Sequence, residues 1–182
     1  RDTGVLTFLS APNFEAPADS NADNVYEVEV TANDQISAPD TQTINVTVTS
    51  VNEGPTATIT PSAFGVSEDD TYRLLFGISV SDPDAGANDL SVTLSVSNGL
   101  IKLGTLTGLT FTSGSNDSAG MTFTGTLTDL NAALASLSYR PEADFAGTDT
   151  LTLLVDDQGS TGGGALTDSD WVNIVVSAVN DA

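Results

Sequence analysis

Alternation of apolar and polar residues restricts the fold of this chain more than any other feature of its sequence. Successive side chains of a β-strand point to opposite faces, so a period of two sends one set into a core and the other into solvent. β-Branched residues occupy many of these positions, which favours strands further. The alternating stretches are residues 26–33, 43–49, 90–97, 151–155 and 172–178.

Short strands joined by loops rich in Gly, Asp and Ser predict an all-β fold of the sandwich type, with immunoglobulin-like Greek-key connections. The dipeptide Asn98-Gly99 between two apolar stretches predicts a two-residue hairpin turn. One short helix is predicted near 129–137, because Leu130, Ala133, Leu134 and Leu137 have helical spacing after Thr128-Asp129, which would cap it.

A repeated Val-Asn-acid signal predicts tandem modules. It occurs at Val51-Asn52-Glu53 and again at Val179-Asn180-Asp181, each time after a predicted strand. We therefore expect residues 1–54 to be the C-terminal half of one module, with three or four strands. Residues 55–182 are expected to form a complete module. The strands missing from the first module would be absent from this piece or supplied by another chain.

The acidic excess of the chain excludes several classes of function. It has 25 Asp and Glu against four Lys and Arg, a formal charge of −21, and neither Cys nor His. Such a surface repels nucleic acid and anionic membrane. Thiol nucleophiles, His bases and Cys/His zinc sites are excluded by composition. A disordered acidic chain is the alternative, but 39% of the residues are hydrophobic and they alternate.

No stretch of about 18 apolar residues predicts a membrane span, and no signal peptide is recognisable. A glycosidase would need two carboxylates set across a cleft lined by aromatic residues. Asp156, Asp168 and Asp170 are candidates for such a pair, but the chain has only one Trp and three Tyr. We therefore expect no enzymatic activity.

Acidic and amide residues gather at the predicted strand ends. Calcium takes six to eight oxygen ligands from carboxylates, carbonyls and water, and loops at strand ends supply both kinds of protein oxygen. Calcium is accordingly the expected cofactor, and turn formation is the alternative role for each cluster. The clusters are Asn13-Phe14-Glu15, Ala32-Asn33-Asp34, Asn52-Glu53, Asp82-Pro83-Asp84 with Asn88-Asp89, and Asp156-Asp157.

The order of these clusters resembles the cadherin repeat. Cadherins carry an Asp-Arg-Glu loop, an Ala-x-Asp loop, an Asp-x-Asn-Asp-Asn linker before Pro, and an Asp-x-Asp loop in the next repeat. The resemblance implies a calcium cage between adjacent repeats, formed here by Glu15, Asp34, Asn52 and Asn88 (through their carbonyls), Glu53, Asp82, Asp84 and Asp157. Ser50 replaces the first Asp of the linker, and the linker is one residue shorter, which implies fewer ions. Glu68, Asn180 and Asp181 would belong to the next junction.

The second module is also similar to cadherin-like tandem repeats of large bacterial surface and secreted proteins. The stretches that carry this resemblance are 127–134, 137–141, 144–151 and 157–159. It implies an extracellular or cell-surface adhesin that contacts neighbouring modules of its own chain and a polysaccharide or another surface protein. The alternative is a calcium-dependent carbohydrate-binding module attached to a secreted polysaccharide-active protein, with an outward Trp171 stacking on sugar. Homotypic pairing of two copies is a third hypothesis.

Overall fold

The computed structural model describes residues 5–159 and 162–180 of the chain. It divides into two compact units, Arg1–Val51 and Asn52–Ala182, and the division falls slightly before the predicted boundary at residue 54. The architecture is all-β with one short helix, as the alternation predicts. Within the described part of the chain, no helix is long and apolar enough to cross a bilayer.

The first unit contains one antiparallel pair of strands, β1 (Val25–Ala32) and β2 (Asp40–Thr47). Phe8 packs edge-on against Tyr26 of β1, with ring centroids 5.1 Å apart. Three or four strands were predicted, but residues 5–24 form loops that are held by side-chain hydrogen bonds such as Asp19 Oδ2 to the Asp23 amide. None of residues 5–51 is buried, so the described part of this unit has no core of its own.

The second unit begins with short strands and continues with longer ones. Its elements in chain order are β3 (Thr56–Ile59), β4 (Ala63–Ser67), β5 (Arg73–Leu74), β6 (Ile78–Ser81), β7 (Asp89–Ser95), β8 (Gly99–Lys102), β9 (Thr110–Gly114), β10 (Gly120–Thr126), α1 (Leu127–Leu134), β11 (Ser138–Pro141), β12 (Gly147–Asp156) and β13 (Thr167–Ser177).

Three sheets of this unit share one apolar core. The largest has the strand order β4-β13-β12-β7-β10-β9, and it is joined by a three-stranded sheet β5-β11-β8 and a pair β3-β6. Inward residues of the large sheet, such as Leu94, Phe123 and Leu153, are fully buried, as are Ile101 and Tyr139 of the three-stranded sheet. Alternation of burial along β7, β12 and β13 matches the predicted period of two.

The predicted hairpin at Asn98-Gly99 is wrong, because the strands before and after it belong to different sheets. β7 lies between β12 and β10, whereas β8 pairs with β11. The carboxylate of Asp149, only 2% exposed, accepts the Ser97 and Asn98 amides at 2.9 and 2.8 Å and so fixes the crossing. Gly99 is required for close packing, since a Cβ there would lie 2.4 Å from the Tyr139 ring.

The helix α1 begins two residues before the predicted cap at Thr128-Asp129. Thr126 is the N-cap, and its Oγ1 accepts the Asp129 amide at 3.3 Å while donating to the Asp129 carboxylate at 2.8 Å. This is an N-cap in which the Thr126 hydroxyl satisfies the Asp129 amide of the first turn. Leu130, Ala133 and Leu134 enter the core as their spacing predicts.

Candidate metal site

The start of the second unit is tied to two acidic loops of the same unit. The Asn52 side chain donates through Nδ2 to Asp157 Oδ2 at 2.6 Å and to the Gly164 carbonyl at 3.1 Å. The Glu53 amide donates to Asp84 Oδ2 at 3.1 Å. Asn52-Glu53 therefore lies between the loop that follows β6 and the loop that follows β12.

The loop after β6 buries two carboxylates next to each other. Asp82 is 7% exposed and Asp84 is 9% exposed. Asp82 Oδ1 accepts the amides of Asp84 and Ala85 at 3.0 and 3.1 Å, which folds the loop back on itself, and the Asn88 amide closes it on the Ala85 carbonyl at 2.8 Å. The other oxygen, Asp82 Oδ2, is buried and has no hydrogen-bond partner among the described residues.

Asp157 at the end of β12 is also buried, at 3% exposure. Its Oδ1 accepts the amides of Gly159 and Leu166, each at 2.8 Å, and its Oδ2 accepts from Asn52. Burial acts to raise the pKa of Asp157, but these three hydrogen bonds outweigh burial and lower the pKa below its ordinary value. Asp157 is therefore an anion that the fold stabilises.

Asp82 has the opposite electrostatic environment. Burial, and after it the neighbouring Asp84 carboxylate, raises the pKa of Asp82 to about 6. Two ionised carboxylates cannot hydrogen-bond to each other, and in a partly buried site they repel by several kcal/mol at most. The same Asp84 charge acts on Asp157. Three like charges thus influence one another at this end of the unit.

These residues suit a hard cation that prefers oxygen ligands. A buried carboxylate oxygen without a donor, at Asp82 Oδ2, is costly unless a proton or a cation satisfies it. Carboxylates and loop carbonyls are the ligands that calcium takes. Among residues 5–159 and 162–180, however, no three acidic side chains are already grouped closely enough to chelate an ion together. Binding would therefore require the three carboxylates to move closer together.

The remaining predicted ligands lie in several places. Asn88 and Glu53 are exposed on the same loops as Asp84 and Asn52. Glu15 and Asp34 belong to the first unit, and their assignment to the same cage stays a prediction. Asp34 Oδ1 accepts the Ile36 and Ser37 amides at 3.0 and 2.9 Å, and the hydrogen bonds from Ser37, then Ile36, lower its pKa.

Two of the three ligands predicted for the next junction, Glu68 and Asn180, lie near each other. Glu68 Oε1 accepts the Val179 amide at 2.6 Å, and the Glu68 amide donates to the Ser177 carbonyl at 3.1 Å. Asn180 follows directly and is exposed. The predicted ligand Asp181 lies outside the described residues.

Sequence reasoning missed the glycine-rich loop that packs against Asn52 next to Asp157. Gly163 lies against Asn52, and a Cβ on Gly163 would come within 2.7 Å of the Asn52 Cβ. The Gly164 carbonyl accepts from the same Asn52 side chain. The run Gly162-Gly163-Gly164 was the available signal, since repeated glycine marks close approach of the backbone to another group.

The acids considered for glycosidase chemistry have structural partners. Asp168 Oδ2 accepts the Ala57 amide at 2.9 Å, and Asp170 Oδ2 accepts the Ile59 amide at 2.7 Å. Both residues are on β13, and both amides belong to β3. The two carboxylates thus satisfy the edge of β3 that does not pair with β6.

Trp171 lies on the solvent side of the six-stranded sheet. It pairs in register with Thr152 of β12 and is 63% exposed, while its neighbour Val172 enters the core. The alternation along residues 172–178 predicts this outward orientation.

Comparisons with known proteins give only remote likeness. No protein-family model matches the chain, and no curated protein matches it in sequence. AggA, the major subunit of aggregative adherence fimbriae type I from Escherichia coli, is 16% identical over 70% of this chain and 98% of its own, with a TM-score of 0.37. The endo-fucoidan hydrolase MfFcnA4 of glycoside hydrolase family 107 is 20% identical over 85% of this chain, which spans 19% of the hydrolase, with a TM-score of 0.31. At these scores neither likeness carries an argument about function.

Proposed function

We propose that this chain is a calcium-binding β-sandwich module of an extracellular surface or adhesive protein, in which calcium fixes the Asn52-Glu53 segment to the loops after β6 and β12. The observation that carries the proposal is Asp82 Oδ2, a buried carboxylate oxygen that lies beside a second buried carboxylate and has no hydrogen-bond donor among the residues that the structure describes. A bound calcium ion would supply a positive charge to Asp82 Oδ2.

In such a site, backbone amides would orient the carboxylates and Asn52-Glu53 would connect the two acidic loops. The amides of Asp84 and Ala85 hold Asp82 Oδ1, which leaves Oδ2 directed away from those donors. The amides of Gly159 and Leu166 orient Asp157 in the same manner. Because Glu53 reaches the loop after β6 and Asn52 reaches the loop after β12, drawing the carboxylates onto an ion would stiffen the entry to the unit.

Stiffening by an ion suits a module in an extended surface protein. The chain has no Cys for disulfides, so calcium is an available means of rigidifying a junction. Extracellular calcium modules bind with dissociation constants of roughly 10⁻⁴–10⁻³ M, which matches sites that must first overcome carboxylate repulsion. Glu68 and Asn180 would serve as the corresponding ligands toward the following module.

The proposal is tested by thermal unfolding of the full chain after treatment with chelator. Saturating calcium should raise the melting temperature, because a ligand at 100 times its Kd stabilises the folded state by about 2.7 kcal/mol. Asp82→Asn keeps the Oδ1 acceptor but removes the charge, and should abolish most of that gain. Asp144→Asn, at an exposed acid in the loop between β11 and β12, is the matched control. An unchanged melting temperature in roughly 10–100 mM calcium, which is 100 times a Kd of 10⁻⁴–10⁻³ M, would refute the proposal.

A further inference from the structure

All positive charge in the described part of this chain lies on one small sheet. The chain has four Lys and Arg in total. Arg1 lies outside the described residues, and the other three lie on neighbouring strands of the sheet β5-β11-β8: Arg73 on β5, Arg140 on β11 and Lys102 on β8. The strands of this sheet thus carry a net positive charge, although the chain has 25 acidic residues.

Two of these cations are held by an aromatic ring. Lys102 Nζ lies 5.3 Å from the centroid of the Tyr72 ring, and Arg140 Cζ lies 5.6 Å from the same centroid. The Tyr72 hydroxyl donates to Asp117 Oδ1 in a short hydrogen bond. Burial, followed by this Asp117 contact, raises the pKa of Tyr72, so the hydroxyl remains a donor.

The positive charges are therefore oriented without being neutralised. Among the described residues, no Lys or Arg nitrogen forms an ion pair with a carboxylate within 4.0 Å. A cation–π contact restricts a Lys or Arg side chain while leaving its N–H donors able to bind an anion. Asp117 accepts the hydrogen bond of the Tyr72 hydroxyl, and Arg140 also hydrogen-bonds to that hydroxyl.

The sheet presents these groups to solvent. Tyr139 and Ile101 point into the core and are fully buried, so Arg140 and Lys102, each one residue further along its strand, point outward. Ser138 lies in register between Leu74 and Lys102, and Arg140 is opposite Leu100. Adjacent strands are about 4.8 Å apart, so Lys102 and Arg140 lie near each other on the outer face, whereas Arg73 is in register with the inward Tyr139 and belongs to the other face.

We propose that this face, defined by Tyr72, Lys102 and Arg140, binds a polysaccharide through its sulfate or carboxylate groups. Arg binds planar oxyanions through two parallel N–H donors, and Lys supplies a point charge beside it. A pair of oriented cations matches a linear polymer with repeated anionic groups. The centre of a protein interface is instead depleted in Lys and richer in apolar area, so a protein partner fits this face less well.

The experiment measures retention on immobilised dextran sulfate and on polygalacturonate, with neutral dextran as the control matrix. Chelator is present throughout, so that calcium cannot bridge the acidic protein surface to the polymer. The wild-type chain should be retained on at least one polyanion and released by salt. Preference for dextran sulfate would identify sulfate as the bound group, and preference for polygalacturonate would identify carboxylate.

The variants locate the site. Lys102→Gln combined with Arg140→Gln should weaken binding about 100-fold, since each removes a charge-assisted hydrogen bond worth about tenfold in affinity. Trp171→Ala changes the outer face of the other sheet and should leave binding unchanged. If the double variant does not fold, Lys102→Gln alone carries the test, because Lys102 is exposed at the end of β8.

Three results would overturn the proposal. The first is no retention of folded wild-type chain on either polyanion in chelator. The second is equal retention of the wild type and the double variant. The third is equally tight binding to polyglutamate, or charge-dependent self-association seen by sedimentation and lost in the double variant, which would assign the face to an acidic protein surface.

Discussion

Asn52 donates its side-chain N–H to Asp157 Oδ2 across 2.6 Å and joins the first residue of the second unit to the end of β12. The two residues are 105 positions apart. Asp157 is 3% exposed and accepts two further backbone amides, so Asn52 adds to a carboxylate that is already fixed. This contact makes the start of the unit part of the acidic group rather than a free linker.

Packing of Gly163 against Asn52 predicts a pair of variants with different outcomes. Gly163→Ala would place a Cβ 2.7 Å from the Asn52 Cβ, so the loop must shift. We expect a loss of about 1–3 kcal/mol in the free energy of unfolding, the usual cost of overpacking, together with weaker calcium binding. Gly164→Ala meets nothing within 4 Å and should change little. Denaturant unfolding with and without calcium measures both, and equal effects would contradict this packing.

The raised pKa of Asp82 predicts how stability depends on pH in chelator. A carboxyl group whose pKa is about 6 in the folded chain, against 3.8 ordinarily, holds its proton more tightly when folded. Its contribution to stability is therefore present at low pH and is lost as the pH rises from about 4 through about 6. Asp82→Asn removes this loss, so the variant should be more stable than the wild type at pH 7.5 in chelator.

In calcium, the wild type should instead be more stable than Asp82→Asn. At pH 7.5 the ion stabilises the wild type, which has the Asp82 charge, and not the variant. Thermal unfolding at several pH values between 4 and 8, in chelator and in calcium, measures both effects. A variant less stable than the wild type in chelator at pH 7.5 would contradict the assigned environment of Asp82.

The hydrogen bond from the Ile59 amide to Asp170 predicts a structural role for this acid that is independent of metal. Asp170→Ala leaves a partly buried amide of β3 without its acceptor at 2.7 Å and should cost about 1–3 kcal/mol. Ser169→Ala, at the exposed position between Asp168 and Asp170, should be nearly neutral. The loss should be the same with and without calcium in urea unfolding. A loss found only in calcium would instead make Asp170 a ligand.

Exposure of Trp171 allows the carbohydrate-binding alternative to be tested separately. Trp171→Ala removes a side chain that is 63% exposed and should change the free energy of unfolding by less than about 0.5 kcal/mol. If the outer face of the six-stranded sheet binds sugar by stacking, the variant should lose retention on neutral glycans across a panel. Full retention, or no binding by the wild type, would exclude this face as a sugar site.

The structure shows how far local patterns reach. The helix was predictable because Leu130, Ala133 and Leu134 are spaced for one face. Its cap was predicted at Thr128-Asp129, but Thr126 is the N-cap, since its hydroxyl accepts the Asp129 amide. Asn98-Gly99 has the composition of a hairpin turn, but the choice of sheet depends on Asp149 and Tyr139, which lie some 40 to 50 residues further along. Turn chemistry fixes local backbone geometry and leaves the pairing partner of each strand open.

The sequence by itself determined the all-β class, the facing of β7, β12 and β13, and the acidic clusters at strand ends, because these follow from period-two alternation and from local residue type. Only the tertiary structure decided which clusters meet. It places the loops of Asp84 and Asp157, with Asp82 beside Asp84, against Asn52-Glu53. Asp168 and Asp170 accept amides of β3. Lys102 and Arg140 lie over the ring of Tyr72. These contacts join residues distant in the chain, and strand order in the sheets, which alternation does not encode, brings them together.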